Sequence, residues 1–158
     1  MHDAITIERL NADSPHVLDV TQWMFTAWGH LNPEKTLQDA IEETISECGA
    51  EGVPSIFIAM QGDMPVGTAS LIADDMSIRS ELTPWLASVF VLPGSRGRGI
   101  ASALVKRVEV EAQANDIRRF YLYTPDQQAL YQRLGWQPAE CLEYRGEAVT
   151  LMSRQFEM

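Results

Sequence analysis

From Val89 to Ser102 the chain reads Val-Phe-Val-Leu-Pro-Gly-Ser-Arg-Gly-Arg-Gly-Ile-Ala-Ser. No other stretch constrains the fold as much. The apolar run Trp85 to Leu92 reads as a buried strand, and Pro93-Gly94 stops it. Beyond the glycines, Ile100, Leu104, Val105, Val108 and Ala112 recur at helical spacing. The chain must therefore run from a buried strand through a tight glycine turn into a helix. Helix N-termini leave backbone N–H groups without partners and carry the positive end of the helix dipole. Glycine permits positive φ and lets backbone approach a ligand closely. Together these make a site for a phosphate or pyrophosphate, and Arg96 and Arg98 add positive charge. A turn of this kind also serves simply to join a strand to a helix.

Around this segment the sequence predicts one domain over residues 1–158, without repeat, linker or low-complexity segment. Ala4 to Leu10 reads as a first strand. Asp13-Ser14-Pro15 then opens a helix, with Ser14 as N-cap and Pro15 at the first helical position. Gly29 can end that helix. Thr36 caps a second one, whose Leu37, Ile41, Ile45 and Cys48 share a face. Ser55 to Met60 and Val66 to Ala73 form a hairpin around Gln61 to Pro65. After the glycine turn and its helix come a strand from Ile117 to Tyr123 and a short helix from Asp126 to Leu134. Two strands follow, around a turn near Arg145-Gly146-Glu147. The fold class is α/β, a mixed sheet with helices on both sides.

Composition bounds the partners. Twelve Lys and Arg against 22 Asp and Glu give a net charge of −10. That field repels nucleic acid and anionic lipid, and weakly favours a cationic substrate. No apolar run approaches the ~18 residues of a membrane span. Met1-His2-Asp3-Ala4 has no signal-peptide character. Cys48 and Cys141 lie far apart and read as reduced thiols of a cytoplasmic protein. Three scattered histidines and two distant cysteines give no metal-ligand cluster. Nothing selects between a monomer and a homodimer.

Three phosphate-binding patterns compete for the glycine turn. A Walker A loop needs Lys and Ser/Thr after its last glycine, where this chain has Ile100 and Ala101. A dinucleotide fingerprint is met by Gly97 and Gly99, but Ser102 stands where its third glycine belongs, and the turn follows a hairpin past mid-chain. The third pattern, Gln/Arg-x-x-Gly-x-Gly/Ala, is met at every position by Arg96 to Ala101. That segment resembles the cofactor turn of the GNAT superfamily of acyl-CoA-dependent N-acetyltransferases. Leu130-Tyr131-Gln132-Arg133-Leu134-Gly135-Trp136 resembles the family's later Tyr-x-x-x-Gly-aromatic element. The element order is similar along nearly the whole chain. One departure is Thr124, which stands where many members have Asn, and this puts a cofactor contact there in doubt.

The resemblance implies a mixed, mostly antiparallel sheet of about seven strands flanked by about four helices. It implies acetyl-CoA as cosubstrate and no metal. Val89 and Val91 match the strand positions whose backbone holds the pantetheine arm. The turn amides of Arg96, Gly97, Arg98, Gly99, Ile100, Ala101 and Ser102 would hold the pyrophosphate. A splay between the fourth and fifth strands would admit the thioester, with the Val91 N–H on its carbonyl oxygen. Tyr131 matches the family's general acid for the leaving thiolate; the same ring also reads as packing against the sheet. Trp28 and His30, between the first two helices, border the family's acceptor region, although Trp28 also reads as core and His30 as a loop residue. The implied reaction is transfer to a primary amine by direct attack in a ternary complex. A non-catalytic acyl-CoA-binding module on the same fold is the alternative.

The base has no clear signature. Glu81, Asp74, Asp75 and His30 are candidates, each also readable as an ordinary solvated residue, and Ser88 is a candidate for positioning a water. The acids near the strand that should carry the thioester favour a cationic amine.

Overall fold

The computed structural model describes residues 4–156. Seven strands form one sheet: β1 (Ile5–Arg9), β2 (Ser55–Gln61), β3 (Met64–Ile72), β4 (Trp85–Val91), β5 (Arg119–Thr124), β6 (Gln137–Tyr144) and β7 (Glu147–Gln155). Their spatial order is β1-β2-β3-β4-β5-β7-β6. Every neighbouring pair is antiparallel except β4 with β5. The helices are α1 (Val17–Trp28), α2 (Leu37–Glu47), α3 (Ile100–Ala114) and α4 (Gln128–Arg133). The mixed, mostly antiparallel sheet with four helices is the fold the sequence predicts.

The apolar run of β2 shows why both sheet faces are covered. Phe57 and Ala59 pack in one core with Ile100, Leu104 and Val108 of α3. Ile56, Ile58 and Met60 point the other way, onto Val17 and Val20 of α1. Alternate residues of one strand serve opposite faces, so a strand buried on both sides has no polar phase.

Two helix expectations need correction. α1 begins at Val17, with His16 at its N-cap and no side-chain cap. Ser14 instead accepts the His16 N–H at 3.1 Å, so Ser14 and Pro15 shape the turn before the helix. α2 does start at Thr36, through a capping box with Asp39. Its expected apolar face is not its buried face: Leu37 and Ile45 are 37% and 43% exposed. α2 lies against α1 rather than on the sheet. The inner contact is polar, with Thr21 Oγ1 donating to Thr44 Oγ1 at 2.8 Å.

The central irregularity lies in the middle of the sheet. β4 and β5 are joined at a single register pair, Trp85 with Tyr121. Beyond it they diverge, while β5 continues its ladder with β7 up to Thr124–Thr150. β4 also carries a bulge against β3, between the pairs Thr68–Phe90 and Ser70–Ala87. Ser88 lies within it at φ 55, a left-handed conformation uncommon for a residue with a side chain.

Candidate active site

The gap between β4 and β5 opens into a cleft of about 1020 Å³. Its walls include Leu86 to Val91 of β4 and Leu122 to Thr124 of β5. Backbone direction follows from the ladder. Leu92 N–H donates to the Val66 carbonyl at 2.9 Å, so the preceding pair, Val91 with Gly67, is a non-hydrogen-bonded one. Val91 therefore turns its N–H and carbonyl away from β3, toward the gap. The carbonyl accepts from Arg96 Nε at 2.9 Å.

At the end of β4 the chain forms a one-turn 3-10 helix, Pro93–Ser95, and then the glycine turn. Gly97 and Gly99 have φ of +79° and +78°, where a side chain is strained. A Cβ at either position would meet nothing within 4 Å, so the turn faces open space. Gly99 is the N-cap of α3, and its carbonyl accepts the Ala103 N–H at 3.0 Å. The N–H groups of Ile100, Ala101 and Ser102 have no partner within the helix. All three residues line the cleft, as do Val89, Arg96, Gly97 and Gly99.

Arg98 does not. Its side chain is exposed and donates to Gln61 Oε1 at 3.4 Å. Arg96 folds back over Phe90, 5.8 Å from the ring centroid, rather than standing free above the turn. Trp23 and Trp28 pack against the same ring, with centroids at 5.8 and 6.1 Å. Trp28 keeps 37% of its surface and lines the cleft with His30. Trp28 thus combines both sequence readings, ring packing and cleft wall. Glu81 is exposed, is not part of the wall, and lies close enough to Arg79 to act on its charge.

Tyr131 projects from α4 into the cleft wall, with its ring 6.2 Å from Trp136. Its hydroxyl has no hydrogen-bond partner among the described residues. Burial first, then Asp126, push its pKa up to about 12, so the proton stays on oxygen at neutral pH. Thr124 also lines the cleft, but its hydroxyl accepts from Gln127 N–H at 3.0 Å and caps the approach to α4.

The cleft wall holds two carboxylates that the sequence does not single out and a third, Asp75, that is among its candidates. Glu43 and Glu47 line the cleft from α2, and Asp75 lines it from the β3–β4 connection. Burial, then Glu43, raise Glu47 to about 7. Burial, then Glu47, raise Asp75 to about 8, against a lowering by Arg145. The adjacent Asp74 and Asp75 were the only visible signal. Among the described residues, no group of three His, Cys, Asp or Glu is placed to hold a metal, and no helix is long and apolar enough to cross a membrane.

The profile of the acetyltransferase (GNAT) family matches residues 17–136. This chain belongs to that family. It is therefore an acyl-CoA N-acyltransferase that uses acetyl-CoA. No curated protein matches the chain. Solved GNAT structures share the fold over nearly its full length. An acetyltransferase from Exiguobacterium is 24% identical with a TM-score of 0.68, over 96% of this chain and 93% of that one. An aminoglycoside 6'-acetyltransferase type Ii is 19% identical with a TM-score of 0.73, over 95% and 96%. A GNAT acetyltransferase from Elizabethkingia anophelis, solved with acetyl-CoA bound, is 17% identical with a TM-score of 0.65, over 98% and 99%. At these identities the likeness extends to the GNAT fold and not to an acceptor.

Proposed function

We propose that this GNAT enzyme transfers the acetyl group to a primary, cationic amine by direct attack in a ternary complex. The observation that carries the reading is the β4–β5 gap, into which Val91 turns its N–H and beside which Tyr131 keeps an unpartnered hydroxyl.

The residues present fit acetyl-CoA. The open glycine turn and the free amides of Ile100, Ala101 and Ser102 suit a pyrophosphate. The backbone of Val89 and Val91 suits an extended pantetheine arm lying in the gap like an added strand. Arg98 would contribute through its backbone, because its side chain points to Gln61. Bound there, acetyl-CoA supplies an activated acyl group on a thioester. The Val91 N–H is oriented to donate to the carbonyl oxygen as it gains charge, and a fixed donor of this kind stabilises the transition state more than the ground state. Tyr131, protonated at neutral pH, is the proton donor for the departing sulfur. Trp28 and His30 border the acceptor side. Glu81 lies outside the cleft and has no part in this reading. Cys48 and Cys141 are both free, which suits the reducing cytoplasm.

The test is thiol release from acetyl-CoA across a panel of aminoglycosides, polyamines, amino acids and peptide N-termini. Turnover with a cationic amine is the expected result. Tight CoA binding without turnover on any acceptor would overturn it and favour a binding module.

A further inference from the structure

The cleft is electrically polarised. One end carries the free helix amides and Arg96; the other carries Glu43, Glu47 and Asp75. Asp75 follows shortly after Ile72, which pairs with Trp85 at the closed end of the β4–β5 gap. The carboxylates of this second end differ in their partners. Glu43 is ion-paired with Lys35. Arg145, in the β6–β7 turn, is engaged elsewhere: its guanidinium lies over the Tyr144 ring at 5.3 Å, and Nη1 donates to the Leu31 carbonyl at 3.5 Å. Asp75 has neither a hydrogen bond nor an ion pair with any described residue. Its side chain is half-buried and forms part of the cleft wall. The Glu47 side chain is likewise unpartnered among the described residues. Two carboxylates that line the same cleft without donors, close enough for the charge of Glu47 to act on Asp75, are costly to hold ionised together, and a cation beside them relieves that cost.

We propose that Asp75 takes the proton from the acceptor's ammonium and that Glu47 is its positioning residue, so that the acceptor is an aliphatic amine arriving as a cation. The proposal rests on the acetyl-transfer reading and adds the group that reading lacks.

The ammonium gives one proton to Asp75, and the freed nitrogen lone pair forms the C–N bond at the acetyl carbonyl carbon. The C–S bond breaks, and its electron pair leaves on sulfur, which takes a proton from Tyr131. The second nitrogen proton restores the Tyr131 hydroxyl, and Asp75 releases its own to solvent. The groups that act on Asp75 are Glu43 and Glu47 of α2 and Arg145 of the β6–β7 turn. Asp75 in turn acts on Tyr123 of β5, beside Tyr144 at the end of β6. Burial and the two glutamates outweigh Arg145 and hold Asp75 up at about 8. An acid limb in kcat/KM therefore lies there, with kcat/KM falling tenfold per pH unit below it. The opposite limb is the amine's own pKa, ~10 for an alkylammonium.

The experiment follows the side-chain carboxyl carbons of 13C-labelled protein, saturated with CoA, through a pH titration. Asp75 is assigned by its loss in Asp75→Asn. Butylammonium chloride is the probe, with 1-butanol as its uncharged match. The expected result is an Asp75 midpoint near 8, a response to butylammonium but not to butanol, and a lower midpoint in Glu47→Gln. A midpoint near the ordinary ~4, or no response to butylammonium, would overturn the proposal. In the kinetic arm, with whichever amine the wild type acetylates, Asp75→Asn should lower kcat/KM about 10²-fold or more and abolish the acid limb. Glu47→Gln should move that limb to lower pH. Wild-type rate and pH profile in a folded Asp75→Asn would reject Asp75 while leaving acetyl transfer intact. A wild type that acetylates nothing would reject acetyl transfer instead, and the carboxyl titration then decides Asp75 alone.

Discussion

At the scale of single residues, the proposed proton transfer to sulfur depends on Tyr131. Its ring is packed and its hydroxyl faces the cleft, so removing the oxygen alone separates the two roles. Tyr131→Phe should lower kcat about 10²-fold or more while CoA affinity changes little. Steady-state kinetics with calorimetry check this, and full turnover in the variant would return Tyr131 to packing alone. The place of Tyr131 in the cleft wall is legible because it stands in a local spacing, Tyr-x-x-x-Gly-Trp, visible in the sequence. Glu47 is not. It lies at the end of a helix rich in acids, and nothing local separates it from its solvated neighbours. Only the docking of α2 onto α1 places it beside Asp75, 28 residues further along the chain. Glu81 shows the reverse case. It is near the right strand in sequence, yet the connection before β4 carries it out beside Arg79.

α2 is the element whose placement depends most on local signals. Its inner face offers Thr44 rather than large apolar side chains, so its N-terminal capping box has a larger share in holding it. Thr36 Oγ1 accepts the Asp39 N–H at 3.1 Å, and the Asp39 carboxylate accepts the Thr36 N–H at 3.0 Å. Thr36→Ala should cost about 1 kcal/mol in urea unfolding. A loss below about 0.3 kcal/mol would mean that contacts with α1, not the cap, hold the helix. The cap was visible in sequence because it is local. The buried face was not, because the 3.6-residue period says which residues share a face and not whether a neighbour covers it. The Leu37 and Ile45 side of α2 has no such neighbour. The β4–β5 splay was likewise beyond periodicity. A strand that loses its partner after one pair has the same composition as one that keeps it.

For the whole molecule, the acidic end of the cleft should show in stability as well as catalysis. Glu47 and Asp75 have folded pKa values of about 7 and about 8, above the ~4 of an unfolded carboxyl. Between those limits the folded state binds more protons than the unfolded one, so these groups favour folding below that window. Their contribution is lost as pH rises through about 7 to 8. Melting temperature should accordingly fall from pH 5 to pH 9 by more in the wild type than in the Glu47→Gln, Asp75→Asn double variant. Parallel melting curves across that range would show that the two carboxyls titrate normally.

In the proposed complex the Arg96 to Ser102 turn holds the cosubstrate in front of the β4–β5 gap. Calorimetry of CoA binding to Gly99→Val tests it most directly. At φ +78 a branched side chain is strained, and its Cβ would occupy the open space in front of the turn. Circular dichroism and a thermal melt first establish that the variant is folded. CoA should then bind the folded variant at least ~10-fold more weakly, a difference of ~1.4 kcal/mol. A folded Gly99→Val that binds CoA as tightly as the wild type would contradict the claim.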